Sequence, residues 1–293
     1  MNTTGKDIHM EKKKDYSIIN CIATAMLAYF FTIPFHESIH AITYILYGDK
    51  VVNFSAGSVA VAGLVDFSAK APIHKILSSG SASIVNAIIG IILLAVLMKV
   101  KDMPAMLRLF LTQLMGGHLL EGFGYFLIGV FSIGDWGNVF KLFSDSPGSA
   151  LVLRIVLAVL GFGAMVPLLY LFTYMTYHFI EDPSDKAERR GVALRINLIL
   201  FLVAYIVGAL ATINLPVIKS GEMPYWMFLC FNGMWFLYLV AFFYAWGGIM
   251  VKPPKESRLR CRLPKEPHPV IWGIAVVLIL TDIFVFGPGI YFS

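Results

Sequence analysis

The chain has 293 residues, 58% of them hydrophobic and only 14% charged, with a formal net charge of +5. That balance excludes a soluble globular domain and describes a polytopic membrane protein embedded in a lipid bilayer. The three cysteines, Cys21, Cys230 and Cys261, are too dispersed for a disulfide framework or a thiolate metal site, and the modest basic excess calls for no nucleic-acid partner.

Residues 1–16 are polar and lysine-rich and read as a cytoplasmic tail. An apolar run follows from Ser17 to Tyr47, longer than the roughly 20 residues needed to cross hydrocarbon. Inside it lies Phe35-His36-Glu37-Ser38-Ile39-His40, an H-E-x-x-H pattern. On a helix, positions i and i+4 share a face, so His36 and His40 can chelate one metal ion. Glu37 sits about 100° round the helix, beside the ligand pair, where a general base for an activated water belongs. An acid at the centre of a membrane helix costs about 2.5–3.5 kcal/mol on insertion scales, which argues for a functional role. Pro34 removes a backbone donor just upstream and is expected to kink or restart the helix.

Residues 48–70 change texture. Val51–Phe54 and Ser58–Val61 are β-prone and are punctuated by Gly57 and Gly63. They suggest a short hairpin at the membrane surface, with a plain apolar loop as the alternative. The second span, Ile76–Val100, opens on small residues at 78–83 that permit close helix packing. Asn86 within it suits either an interhelical hydrogen bond or the orientation of a substrate backbone. The third span, Pro104–Val130, places His118 and Glu121 at i, i+3 on one face. Gly134-Asp135-Trp136-Gly137 then reads as a turn entering a short helix, which Asp135 could cap. Four further spans are expected at 150–180, 193–215, 225–251 and 270–292, the last holding Asp282, for which a hydrogen bond within the bundle is expected. The expectation is therefore an all-α protein of about seven transmembrane helices, with a core at 17–145 and four additional helices at 146–293.

Of the 23 lysines and arginines, 17 fall in the tail and in the loops after spans two, four and six. The positive-inside rule then puts the N-terminus in the cytoplasm. His36 and His40 lie toward the outer end of span one, and the Gly-Asp-Trp segment falls on that same side.

Taken together, His36-Glu37-Ser38-Ile39-His40, the small-residue run with Gly80 and Asn86, and the segment from Gly122-Phe123-Gly124-Tyr125 to Gly134-Asp135-Trp136 resemble the site-2 protease family of intramembrane zinc metalloproteases, in a divergent form. The resemblance covers about residues 17–145. It lacks the usual Leu-Asp-Gly form of the acidic motif. It implies Zn2+ held by His36, His40 and Asp135, Glu37 as the catalytic base, Asn86 as a substrate-binding residue, and a membrane-embedded or membrane-proximal peptide as substrate. Helix rise favours a different third ligand, because Glu121 lies about as deep in its span as the histidine pair does in its own. Both acids stay open here, with His118 as a further alternative. The implied activity is intramembrane metalloendopeptidase in a multi-pass protein of the cell membrane. The competing class is a metal-binding membrane protein: a transporter, a sensor or a non-cleaving protease relative.

Overall fold

The computed structural model describes residues 14–62, 71–182, 184–213, 225, 226, 229 and 261–292. Helix α1 (Ser17–Leu46) runs unbroken through the histidine motif with Pro34 inside it. The expected restart at Pro34 does not occur. Pro34 cannot donate to the carbonyl four residues back, yet the chain continues as helix on both sides, and Ser38 Oγ donates to Pro34 O at 2.7 Å.

Strands β1 (Lys50–Ser55) and β2 (Ser58–Ala62) pair antiparallel after α1, with a register shift between Val51 and Asn53. Helix α2 (Pro72–Lys99) follows, with Pro72 at its first turn, where the missing N–H is no loss. Its C-terminus is closed by Arg108, which is buried and donates to the carbonyls of Leu97, Val100 and Lys101. Leu97 lies in the last turn of α2 and Val100 is its C-cap, where carbonyls lack an intrahelical partner.

The third span is a composite. Helix α3 (Ala105–Leu119) passes into a π-helical turn (Leu120–Gly124), then α4 (Tyr125–Gly129). A turn follows in which Ser132 and Gly134 both take positive φ, 60° and 64°. Beyond it the short helix α5 (Gly134–Lys141) is bent by 45° from the preceding helix. Helix α6 (Pro147–Thr176) ends in a 3-10 turn at Tyr177–Phe179, and α7 (Lys186–Thr212) is capped by the Asp185 carboxylate, which accepts from Ala187 N–H at 2.7 Å. Helix α8 (Pro269–Thr281) continues as a π-helical turn (Asp282–Phe286) and ends in β3 (Ile290–Tyr291), which pairs with the free edge of β1.

Five of these helices are long and apolar enough to cross a membrane, and six if the bent α3–α5 composite counts as one span. Span 225–251 of the sequence reading lies almost wholly outside the described residues. Helices α6 and α8 turn bare aliphatic faces outward, including Val152, Val159 and Val277 at 63%, 66% and 61% exposure. Such continuous apolar faces belong against lipid.

Between the helices the core is divided by element. Leu97, Met115, Leu119, Phe172 and Phe201 join α2, α3, α6 and α7. Ala25, Tyr29, Leu200, Val207 and Ile279 join α1, α7 and α8. Trp136, Val139, Phe140 and Leu157 join α5 to α6. The Asp282 carboxylate, for which a bundle hydrogen bond was expected, has none among the described residues. Its turn packs against α7.

Helices α2 and α3 approach through glycine. A Cβ added to Gly122 would lie 2.5 Å from the backbone nitrogen of Ala87, and one added to Gly90 would lie 2.6 Å from the Leu119 side chain. Backbone cannot retreat as a side-chain tip can, so G122A should destabilise the protein by about 1–3 kcal/mol. G148A, where the new methyl meets nothing within 4 Å, is the control. Thermal unfolding of the two variants in detergent should separate them, with G122A alone falling; equal midpoints would show that this contact does not hold the bundle.

Candidate metal centre

His36 and His40 lie one turn apart on α1, both buried, with exposures of 2% and 6%. Their Nε2 atoms are 3.2 Å apart. Asp135 Oδ2 lies 3.0 Å from His36 Nε2 and 3.2 Å from His40 Nε2. These three atoms form a nearly equilateral triangle, and together the residues could hold a metal ion.

The triangle suits a cation better than protons. Each histidine can donate one Nε2–H to the carboxylate oxygen, which satisfies two edges. The third edge, nitrogen to nitrogen, then has no hydrogen in it. A central cation satisfies all three contacts at once. Ligand bonds of 2.0–2.1 Å at tetrahedral angles place neighbouring donors about 3.3 Å apart, close to the three spacings observed. Two imidazoles and one carboxylate are also a donor set that zinc commonly takes in sites keeping an open position.

Asp135 arrives there because α5 folds back onto α2. It sits in the first turn of α5, but the cap position is Ile133 and no side chain caps the helix. The capping role expected of Asp135 is therefore absent, and its carboxylate turns to the histidines instead. Trp136 anchors the turn. Its ring is 2% exposed, its Nε1 donates to Ser83 Oγ at 3.0 Å, and a Cβ on Gly80 would lie 2.9 Å from the indole. Gly137 is equally constrained, since a Cβ there would stand 2.3 Å from the Ser132 carbonyl oxygen. The small-residue run of α2 is thus the floor on which the acidic turn rests. Thr43 Oγ1 and Ser81 Oγ, 2.9 Å apart, tie the same part of α2 to α1 beside the motif.

Glu121 occupies the π-helical turn but does not join the triangle. Its Oε2 is 3.9 Å from His36 Nδ1, the ring nitrogen that faces away from Asp135. A π turn shifts side chains off the regular helical face, so depth counted at 1.5 Å per residue misplaces it. Glu37 is 6% exposed, and its carboxylate makes no hydrogen bond or ion pair with the described residues. Asn86 is fully buried, with Nδ2 2.8 Å from His36 Nδ1 and Oδ1 2.9 Å from His118 Nδ1. Both ends of its amide are therefore engaged by histidines.

Two neighbours were not singled out from the sequence. The Tyr125 ring lies 4.9 Å from the His36 ring, centroid to centroid, and Tyr44 stacks on His40 at 6.4 Å. Tyr44 stands one turn beyond His40, a signal available from spacing alone. Tyr125 follows the π turn, which no spacing rule announces. A cavity of about 510 Å3 is lined by Pro104, Met106, Arg262, Lys265 and His268 and lies among residues apart from the metal group.

No protein family matches this chain, and neither curated proteins nor solved structures provide a match.

Removing a true ligand should cost far more than removing a neighbour. In the purified full-length protein, D135A should lose metal across a chelator series, whereas E121A should weaken retention by at most about 10–100-fold. Metal release from E121A together with wild-type retention by D135A would move the third ligand into the π turn.

Proposed function

We propose that this chain is an intramembrane zinc metalloendopeptidase, with His36, His40 and Asp135 as ligands and Glu37 as the catalytic base. One observation carries the reading: the Nε2, Nε2, Oδ2 triangle is accompanied by a buried glutamate, next to His36 in the chain, that makes no hydrogen bond or ion pair among the described residues. A site built only to store or sense metal has no need of a second, uncommitted carboxylate. Hydrolysis of an amide needs one, because a proton must leave the attacking water and reach the departing amine.

Zinc bound there would supply Lewis acidity toward a peptide carbonyl and a water. Glu37, one residue along the helix from His36, accepts the water's proton and returns it to the leaving nitrogen. Asp135 contributes negative charge that offsets the cation in an apolar setting. The substrate is a peptide segment in or near the bilayer, because the histidine ligands sit within an apolar span and the site is partly open at the Asp135 and Glu121 carboxylates, whose side chains are 18% and 23% exposed.

The cell membrane is the proposed location, with the N-terminus in the cytoplasm and the metal centre toward the outer leaflet. This rests on the skew of 17 of the 23 basic residues to one side.

E37Q should retain metal and lose cleavage of a membrane peptide by about 10²–10⁴-fold, since an amide cannot take the proton. Undiminished proteolysis in E37Q would end the protease reading. Topology has its own check. With Cys21, Cys230 and Cys261 replaced, a cysteine beside Trp136 should react with an impermeant thiol reagent on intact cells. One beside Lys255 should react only after lysis, and the reverse pattern would invert the orientation.

A further inference from the structure

We infer that His118 is a positioning residue of the metal centre, acting on His36 through the Asn86 side-chain amide. The inference rests on the metal-centre reading above and goes beyond it, because His118 is not in the group of His36, His40 and Asp135.

The argument is one of hydrogen-bond direction. Three buried side chains stand in a row: His36 at 2% exposure, Asn86 at 0% and His118 at 3%. Asn86 joins the two imidazoles through their Nδ1 atoms, at 2.8 Å and 2.9 Å. Each neutral imidazole has one N–H and one lone pair, and the amide has one donor end and one acceptor end. The row can therefore run in only two directions.

In the first direction the Asn86 NH2 donates to His36 Nδ1, and Asn86 Oδ1 accepts from His118 Nδ1–H. His36 then carries its proton on Nε2, the atom 3.0 Å from Asp135 Oδ2. That nitrogen has no lone pair left for a metal. In the second direction the amide is turned by 180°, which leaves the positions of its heavy atoms nearly unchanged. Asn86 Oδ1 accepts from His36 Nδ1–H, the His36 Nε2 lone pair is free to ligate, and the NH2 donates to a bare His118 Nδ1. Only this second direction permits metal at His36.

His118 therefore decides which amide end faces His36. With its proton on Nε2, its Nδ1 lone pair holds the NH2 end and leaves oxygen for the ligand. Glu121 does not substitute for it, because its Oε2, at 3.9 Å from His36 Nδ1, is beyond hydrogen-bond reach. The row is held rigidly. Gly122 lets the π turn press against Ala87, the residue after Asn86, and the Phe35 ring packs edge-on against the His118 ring at 5.7 Å. Ligating histidines generally need an acceptor on the second ring nitrogen to fix the tautomer. Here that acceptor is an amide, which needs orienting in turn.

The test is a double-mutant cycle read by zinc affinity of the purified full-length protein, using competition with a chromophoric chelator. Wild type should bind one equivalent that depends on His36 and Asp135. H118F should weaken zinc by up to about 10-fold, and N86L by about 10–100-fold. N86D should restore binding, because a carboxylate offers oxygen to His36 in either orientation. In the N86D background H118F should then change affinity by less than twofold, which a merely structural role for His118 would not give. H118L repeats the comparison if H118F is not monodisperse. Wild-type affinity in H118F, or an equal loss with and without N86D, overturns this inference and leaves the metal centre standing. Failure of wild type to bind zinc overturns both.

Discussion

Everything at this centre depends on bringing one carboxylate to two imidazoles inside an apolar bundle. The histidines come together by helix geometry alone, one turn apart on α1. Asp135 does not, since it is 95 residues beyond His40 on a different element. The chain solves this with a bend and an anchor. The turn with positive φ at Ser132 and Gly134 bends the chain by 45° after α4, and the Trp136 indole locks α5 onto the small-residue floor of α2. A side chain at Gly80 larger than hydrogen would push the indole away and take Asp135 with it. The acidic turn is thus placed by an aromatic ring rather than by the charge it carries.

The same floor serves both sides of the site. Ser81 bonds Thr43 of α1, Ser83 bonds Trp136 of α5, and Asn86 bonds His36 and His118. Small polar residues on α2 thus satisfy donors from three other elements at close approach. In hydrocarbon there is no water to do so, and an unpaired polar group costs several kcal/mol. Exceptions mark where this satisfaction stops: His40 Nδ1 and both oxygens of Asp282 are buried without a hydrogen-bond partner among the described residues.

Much of this was legible in the sequence, for identifiable reasons. The H-E-x-x-H pattern puts two histidines on one face because helical periodicity is local. Apolar length announces the spans, and the Gly-Asp-Trp segment announces a turn. What local rules cannot give is where a turn lands. Counting rise per residue favoured Glu121, but Leu120–Gly124 is π-helical and the acid lies near the far nitrogen of His36, outside the group of His36, His40 and Asp135. Pro34 does not restart the helix, since a proline inside a long apolar helix is tolerated when its surroundings satisfy the backbone. Asn86 was recognised as notable, but its pairing with His118 depends on a glycine contact between helices and was invisible from either helix alone.

The last helix adds a constraint of its own. Asn20, near the start of α1, donates to the carbonyls of Pro264 and Glu266 and accepts from Trp272 Nε1. At the other end β3 pairs with β1, and Phe292 N–H donates to Val52 O at 2.9 Å. The α8 segment therefore clasps α1 at both ends, through the chain before it and the strand after it. A long helix carrying a proline in mid-span is the element most prone to bend, and it is also the one that carries both histidines. Holding its two ends to one partner limits that bending at the point where the two Nε2 atoms must stay 3.2 Å apart. On that argument the C-terminal helix belongs to the metal centre mechanically, although it contributes no side chain to it.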